Sequence, residues 1–318
     1  MFGIRAGNFV RGRSLYRGVS IASLLVMLTG VGGLAPGQVV NPADKAKQPE
    51  DQTSQSQEEK TTTHTWQTPA ITVYGKAPLI EEDRIGECAQ PRWTAHRRFS
   101  ETRVYVIPKG MVEFEYWLKP ELQRKGAPTN LTHQFEVEFG LPYRFQLDLY
   151  AVANQTGARG PMQFDEQKVE LRWALANWNK IPGNPALYLE WNPRNNAPPH
   201  VEGKLLLGGQ ITSGWQWGSN LVFEHEAGGL QENSREWTTG VSHTISDTKF
   251  SLGLETKLAL VNEKDDQGRR GPLEKGFGIG PSLQIRPLPP MHLDFAALIG
   301  ATNSFPRVEM FIVLGWEF

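Results

Sequence analysis

Carboxylates recur on the polar side of an apolar/polar alternation, and their spacing is the first chemical signal in the chain. Glu113, Glu115, Glu136, Glu138, Asp148, Glu166, Glu170, Glu190, Glu202, Glu224, Glu226, Glu255, Asp294 and Glu309 occupy such positions, against the cations Lys119, Lys168, Arg172, Lys204, Lys257 and Arg286. A period of two puts them on one face of their strands. If that face lines an enclosed interior, its acidic excess favours cations and repels anions. The competing arrangement is a polar core closed by its own salt bridges. A second concentration of charge, Arg92, Arg97, Arg98 and Arg103, complements the first. Its guanidinium groups could pair with those carboxylates as a plug, or the stretch could be solvated near a membrane surface. Nucleophilic catalysis needs a Ser or acidic nucleophile beside a base. None of the seven histidines is followed two residues later by Ser, and Ser242 and His243, adjacent in a strand, point to opposite faces. Neither Gly-x-Ser-x-Gly nor His-Glu-x-x-His occurs. The expectation is a protein that is not an enzyme, with no metal site and no cofactor.

The elements that must position these residues are strands. Past the first forty residues there is no run of eighteen apolar residues, which excludes a helical membrane protein but not a barrel, whose strands are only half apolar. With 33 basic and 34 acidic side chains the net charge is −1, so nucleic acid is not suggested as a partner. The single cysteine, Cys88, rules out an internal disulfide. Arg5, Arg11, Arg13 and Arg17, then the apolar run from Val19 to Thr29, then small residues, have the layout of a signal peptide over residues 1–37. Residues 38–68, rich in Lys, Gln, Glu, Ser and Thr, read as a disordered periplasmic linker. Residues 69–102 are expected to form a periplasmic N-terminal segment that carries Arg92, Arg97 and Arg98, with Arg103 just beyond it. Within it, Ala70-Ile-Thr-Val-Tyr-Gly75 resembles the box of TonB-dependent receptors, although the chain has no room for their large plug domain, which favours a short periplasmic strand.

From residue 103 to 318 the alternation persists. Val112, Phe114, Tyr116 and Leu118 share one face of the first strand, with Glu113, Glu115 and Lys119 on the other. About twelve such strands are legible, many of roughly ten residues or more, long enough to cross a bilayer when tilted. They are expected near 103–122, 131–142, 144–155, 163–178, 185–192, 201–212, 215–227, 234–246, 249–262, 275–287, 291–302 and 307–318. Short turns such as Lys180–Asn184 alternate with longer polar loops, the asymmetry of outer-membrane barrels. A β-sandwich remains the alternative on alternation alone.

The last strand separates the two. Val308, Met310, Ile312, Leu314, Trp316 and Phe318 alternate up to a terminal aromatic residue. This resembles the C-terminal β-signal of bacterial outer-membrane proteins, of porin-like or transporter type. The resemblance implies an all-β fold, an antiparallel transmembrane β-barrel in the bacterial outer membrane. It implies outer-membrane lipids and the barrel assembly machinery as partners, with Met310, Ile312, Leu314, Trp316 and Phe318 as the assembly signal. A passive channel or transporter for small solutes, favouring cations, is the leading functional expectation. A closed structural or binding barrel using its extracellular loops is the alternative, with a lipid-modifying enzyme third.

Overall fold

A computed structural model describes residues 78–318, apart from 196 and 266. The expected leader, the expected linker and the Ala70–Gly75 segment lie outside the described residues. The described residues start with a one-turn 3-10 helix at Ile80–Glu82 and two short paired strands, β1 (Arg84–Ile85) and β2 (Gln90–Pro91), followed by a second 3-10 turn at Arg92–Ala95. Twelve longer strands follow. They are β3 (Val112–Leu122), β4 (Asn130–Gly140), β5 (Phe145–Thr156), β6 (Gln163–Ala174), β7 (Ala186–Asn192) and β8 (His200–Thr212). The rest are β9 (Trp215–Glu226), β10 (Asn233–Ser246), β11 (Phe250–Asn262), β12 (Glu274–Leu288), β13 (Met291–Gly300) and β14 (Val308–Glu317).

Each strand pairs antiparallel with its neighbours in sequence, and β14 pairs with β3 to close the barrel. Closure leaves no free edge, so every strand finds backbone partners on both sides, as a strand in hydrocarbon must. In the closing register Trp316 lies opposite Phe114 and Leu314 opposite Tyr116. Phe114, Ile312, Leu314 and Trp316 are exposed on the outer face, whereas Glu113, Glu115, Phe311 and Val313 are buried within. The alternation is therefore that of a membrane barrel, apolar outside and polar inside.

Two boundaries differ from the sequence expectation. The first strand begins at Val112, not at residue 103. Val104, Tyr105, Val106 and Ile107 are all buried, so they form a run apolar on both sides and not a half-exposed strand. Pro108 cannot donate to a ladder, and Gly110, at φ 82°, turns the chain into β3. The fourth barrel connection, between β6 and β7, also differs. Strand β6 ends at Ala174, so residues 175–185 form a broad loop at the short-turn rim where a tight turn at Lys180–Asn184 was expected.

Residues 78–111 are placed by these differences. They run into the barrel from the short-turn rim, the periplasmic side in barrels of this kind. Cys88, Trp93, Phe99, Val104, Tyr105 and Val106 from this segment share a buried apolar cluster with Trp178 of the broad loop and with Ala186, Tyr188 and Leu206 of the wall. Trp178 meets Trp93 and Tyr105 edge-on, at ring separations of 5.7 and 5.2 Å. Inward-facing glycines make the room. A Cβ on Gly240 would lie 2.4 Å from the Phe99 ring, and one on Gly208 would lie 2.3 Å from Val104.

Gly240→Val should consequently drive Phe99 from its recess at a cost of about 1–3 kcal/mol, the usual penalty of overpacking. The barrel should still form and resist SDS before heating, while trypsin cleaves within residues 84–109 faster than in the wild type. An unchanged cleavage rate would show that the segment does not depend on that recess.

Candidate functional site

The candidate site is the lumen and the segment inside it. The predicted lumen-lining residues Glu113, Glu115, Glu136, Glu138, Asp148, Glu170, Arg172, Glu190, Glu255 and Lys257 are all buried. Lys204 and Arg286 face the same interior, Lys204 beside Glu202 at 2.6 Å and Arg286 beside Glu317 at 2.8 Å. Around Glu115, Glu138 and Arg172 the wall meets the segment where an open pore would offer water.

Two of the four segment arginines reach the wall. Arg97 grips Glu115 with both ends of its fork, Nε to Oε1 at 2.9 Å and Nη2 to Oε2 at 2.5 Å, while its guanidinium lies 3.9 Å from the Trp117 ring centre. Arg103 donates from Nη2 to Glu136 at 2.5 Å and to Glu138 at 2.8 Å. Arg98 instead pairs within the segment, with Glu81 at 2.7 Å, and Arg92 is exposed at the rim. From the wall, Arg172 donates to Glu170 at 2.9 Å and to Asp148 at 3.1 Å, and a further N–H reaches the Tyr105 carbonyl at 3.1 Å. The carboxylates of Glu115, Glu136 and Glu138 approach one another within 4.8 Å, a spacing that suits a cation, and the guanidinium groups of Arg97 and Arg103 are the cations beside them.

The segment's backbone is held by wall side chains in place of a strand partner, which answers the requirement that buried N–H and C=O groups be paired. Glu255 accepts the N–H groups of Ser100 and Glu101, each at 2.9 Å. Asn220 accepts the N–H of Arg103 at 2.8 Å and donates to its carbonyl at 2.7 Å. Gln146 accepts the N–H of Ile107 at 2.7 Å. Asp247 accepts the N–H groups of Ile80 and Glu81, at 2.7 and 3.1 Å. A further charge group lies nearby: Lys257 contacts Glu101 at 2.8 Å, and Lys119 contacts Glu309 at 2.7 Å.

Several of these residues escaped the sequence reading, which weighed only charged side chains. Gln146 and Asn220 share the parity of Asp148 and Glu224, so the same alternation marks them. His292 shares the parity of Asp294. It is fully buried, hydrogen-bonded to Asp294 and Glu113 at 2.5 Å each, and the missing side chain of Gly315 gives it space. Ser242 and His243 diverge as their adjacency predicts. The Ser242 hydroxyl donates to Gln216 inside, while the His243 ring stacks on Trp215 at 4.5 Å. His96, on the segment, contacts Glu317. Burial outweighs that carboxylate and pushes its imidazole down to about 4.

No family model and no curated protein matches the sequence. Among solved structures the chain is similar to an outer membrane channel from Pseudomonas putida F1, with TM-score 0.50 and 8% identity over 67% of this chain and 97% of that one. NanC porin gives TM-score 0.43 and 13% identity over 65% and 98% of the two chains, and KdgM porin gives 0.43 and 8% over 65% and 99%. At such identities the likeness is one of fold. The closed twelve-strand barrel with its apolar outer face and charged interior defines the class: the chain is an outer-membrane β-barrel protein of bacteria.

Two outcomes follow from this geometry. Arg97→Ala should leave Glu115 buried without its bidentate partner and loosen the docked segment by about 3–5 kcal/mol, whereas Arg97→Lys should recover part of that loss. Hydrogen exchange at residues 97–107 reads the difference. Released His96 would titrate near its ordinary value of about 6.5, so it binds more protons when released than when docked. Docking is then favoured above that value, weakens as pH falls, and carries the full penalty below about 4. Glu317, Arg286 and His292 are the charged and titratable groups facing it. The thermal midpoint should fall less between pH 6.5 and 4 in His96→Gln than in the wild type.

Proposed function

We propose that the protein is an outer-membrane channel for small solutes which its own N-terminal segment holds closed. The observation that carries this reading is the chemistry of the wall behind the segment. All twelve strands turn at least one buried residue inward, and most of these are polar or charged, from Glu113 and Gln146 to Gln216, Thr238, Ser282 and Asp294. A wall built only to close a barrel is best made apolar, because buried ion pairs seldom add stability over apolar packing. A polar wall can be wetted once the segment leaves. The exposed carboxylates would then include Glu113, Glu115, Glu136, Glu138, Asp148 and Glu170, with Arg172 the only arginine among them, which favours cations. Beside Arg97, Arg103 and Arg172 the remaining cavity is about 20 Å³, room for about one water.

A second reading, the closed structural or binding barrel, draws on that same tight filling and would use its extracellular loops, chiefly the stretch from Asn262 to Lys275. Enzymatic activity is set aside, because Ser242 and His243 stand on opposite faces and His292 bonds to two carboxylates. Lipid contacts the outer face. We read β14, with Ile312, Leu314 and Trp316 outward and Phe318 beyond its end, as the strand that the assembly machinery recognises.

Planar-bilayer conductance of the refolded protein tests the channel. Wild type should be silent with rare openings. Arg97→Ala/Arg103→Ala should show frequent discrete steps whose reversal potential in a salt gradient reports cation preference, and Glu115→Gln/Glu136→Gln should reduce that preference. Silence of every folded variant would favour the closed barrel.

A further inference from the structure

A cavity of about 600 Å³ opens at the short-turn rim, between the segment and the wall. Its size falls in the range of small-molecule sites. The segment contributes Arg92, Trp93 and Arg98, and the wall contributes Lys249, Phe250 and Arg286. Met111, Leu288, Pro290 and Phe318 add apolar surface.

Its charges do not balance. Arg98 is matched by Glu81, and Arg286 by Glu317. Arg92 and Lys249, both exposed, have no carboxylate within ion-pair distance among the described residues. Unsatisfied donors gather here as well. Trp93 Nε1, Arg98 Nε and Arg286 Nη1 are buried without a hydrogen-bond partner, each on a side chain that lines this cavity. A buried donor left unpaired is costly, so clustering of such groups marks a place prepared for an acceptor. Apolar walls, two free cations at the rim and unpaired N–H donors together select one ligand chemistry.

We propose that this rim cavity binds a small organic anion with an apolar body, its carboxylate between Arg92 and Lys249 and its body against Trp93, Phe250 and Leu288. Arg92 and Trp93 belong to the segment, while Lys249 and Phe250 belong to the wall. The ligand therefore bridges the two and binds the docked state better than the released one. By linkage it favours docking to the same extent that docking favours its binding. On the channel reading, from which this regulatory part follows, the ligand is a closing effector acting from the periplasmic side. The preference for an anion is opposite to that of the lumen, which separates the effector from the transported solute.

Isothermal titration of 4-phenylbutyrate into the refolded full-length protein in a non-ionic detergent tests the site directly, with 4-phenylbutanamide as the uncharged control. Saturable binding of the carboxylate, at least tenfold weaker for the amide, is expected. Arg92→Ala/Lys249→Ala should weaken the carboxylate at least tenfold, and Arg92→Lys/Lys249→Arg should restore most of the affinity. Both changes lie on exposed side chains and leave the barrel intact. Trypsin cleavage of the segment should slow when the ligand is present. Absence of saturable binding, equal binding of the amide, or indifference to the alanine pair would overturn the site. Binding with slower cleavage in a protein that never conducts would sink the channel reading and leave the site standing.

Discussion

Everything inside this barrel answers to the neutralisation of buried carboxylates. Glu113, Glu115, Glu136, Glu138, Asp148 and Glu170 are removed from water around one level of the lumen. An ionised carboxylate taken out of water without a partner costs far more than a domain's net stability, so such groups must be paired, protonated or wetted. The wall itself offers Arg172 and the His292 imidazole. Arg97 and Arg103 supply the rest, and both come from outside the wall. The barrel in its dry form thus requires the segment. Without the segment it requires water.

On the proposed channel reading, that choice between guanidinium and water is what would let the interior act as a gate. Both states satisfy the same oxygens, so neither needs the wall to rearrange. The apolar contribution to docking is concentrated near the short-turn rim, where Trp93, Tyr105 and Trp178 pack together. Midway along, the segment is held by Glu255, Asn220 and Gln146 through its backbone, contacts that water can replace. The rim cavity lies beside the apolar anchor, so the proposed ligand would act on the part of the segment whose release exposes the most apolar surface.

Much of the wall was legible in the sequence because the period of two is unforgiving. A shift of one residue would carry Glu113 and Glu115 to the lipid and Phe114 to the interior, so register, facing and strand number follow from the alternation. The same rule marks Gln146, Asn220 and His292, neutral side chains that charge counting passes over. The sequence misled at 103–107, where Val-Tyr-Val-Ile satisfies a strand pattern. Local propensity cannot say whether such a run lies in a sheet or is buried on both sides by one. Trp178 likewise looked like the end of a strand, although it leaves the sheet to cover the apolar cluster.

The sequence by itself determined the barrel: twelve alternating strands, their inward carboxylates and an arginine cluster of opposite charge, because strand periodicity and charge are local properties. Only the tertiary structure decided where that cluster goes. Arg97 and Arg103 meet the wall while Arg98 turns to Glu81 and Arg92 stays at the rim, and these choices depend on recesses at Gly208 and Gly240. Those recesses are formed by strands more than a hundred residues further along the chain, a distance over which no periodicity carries information.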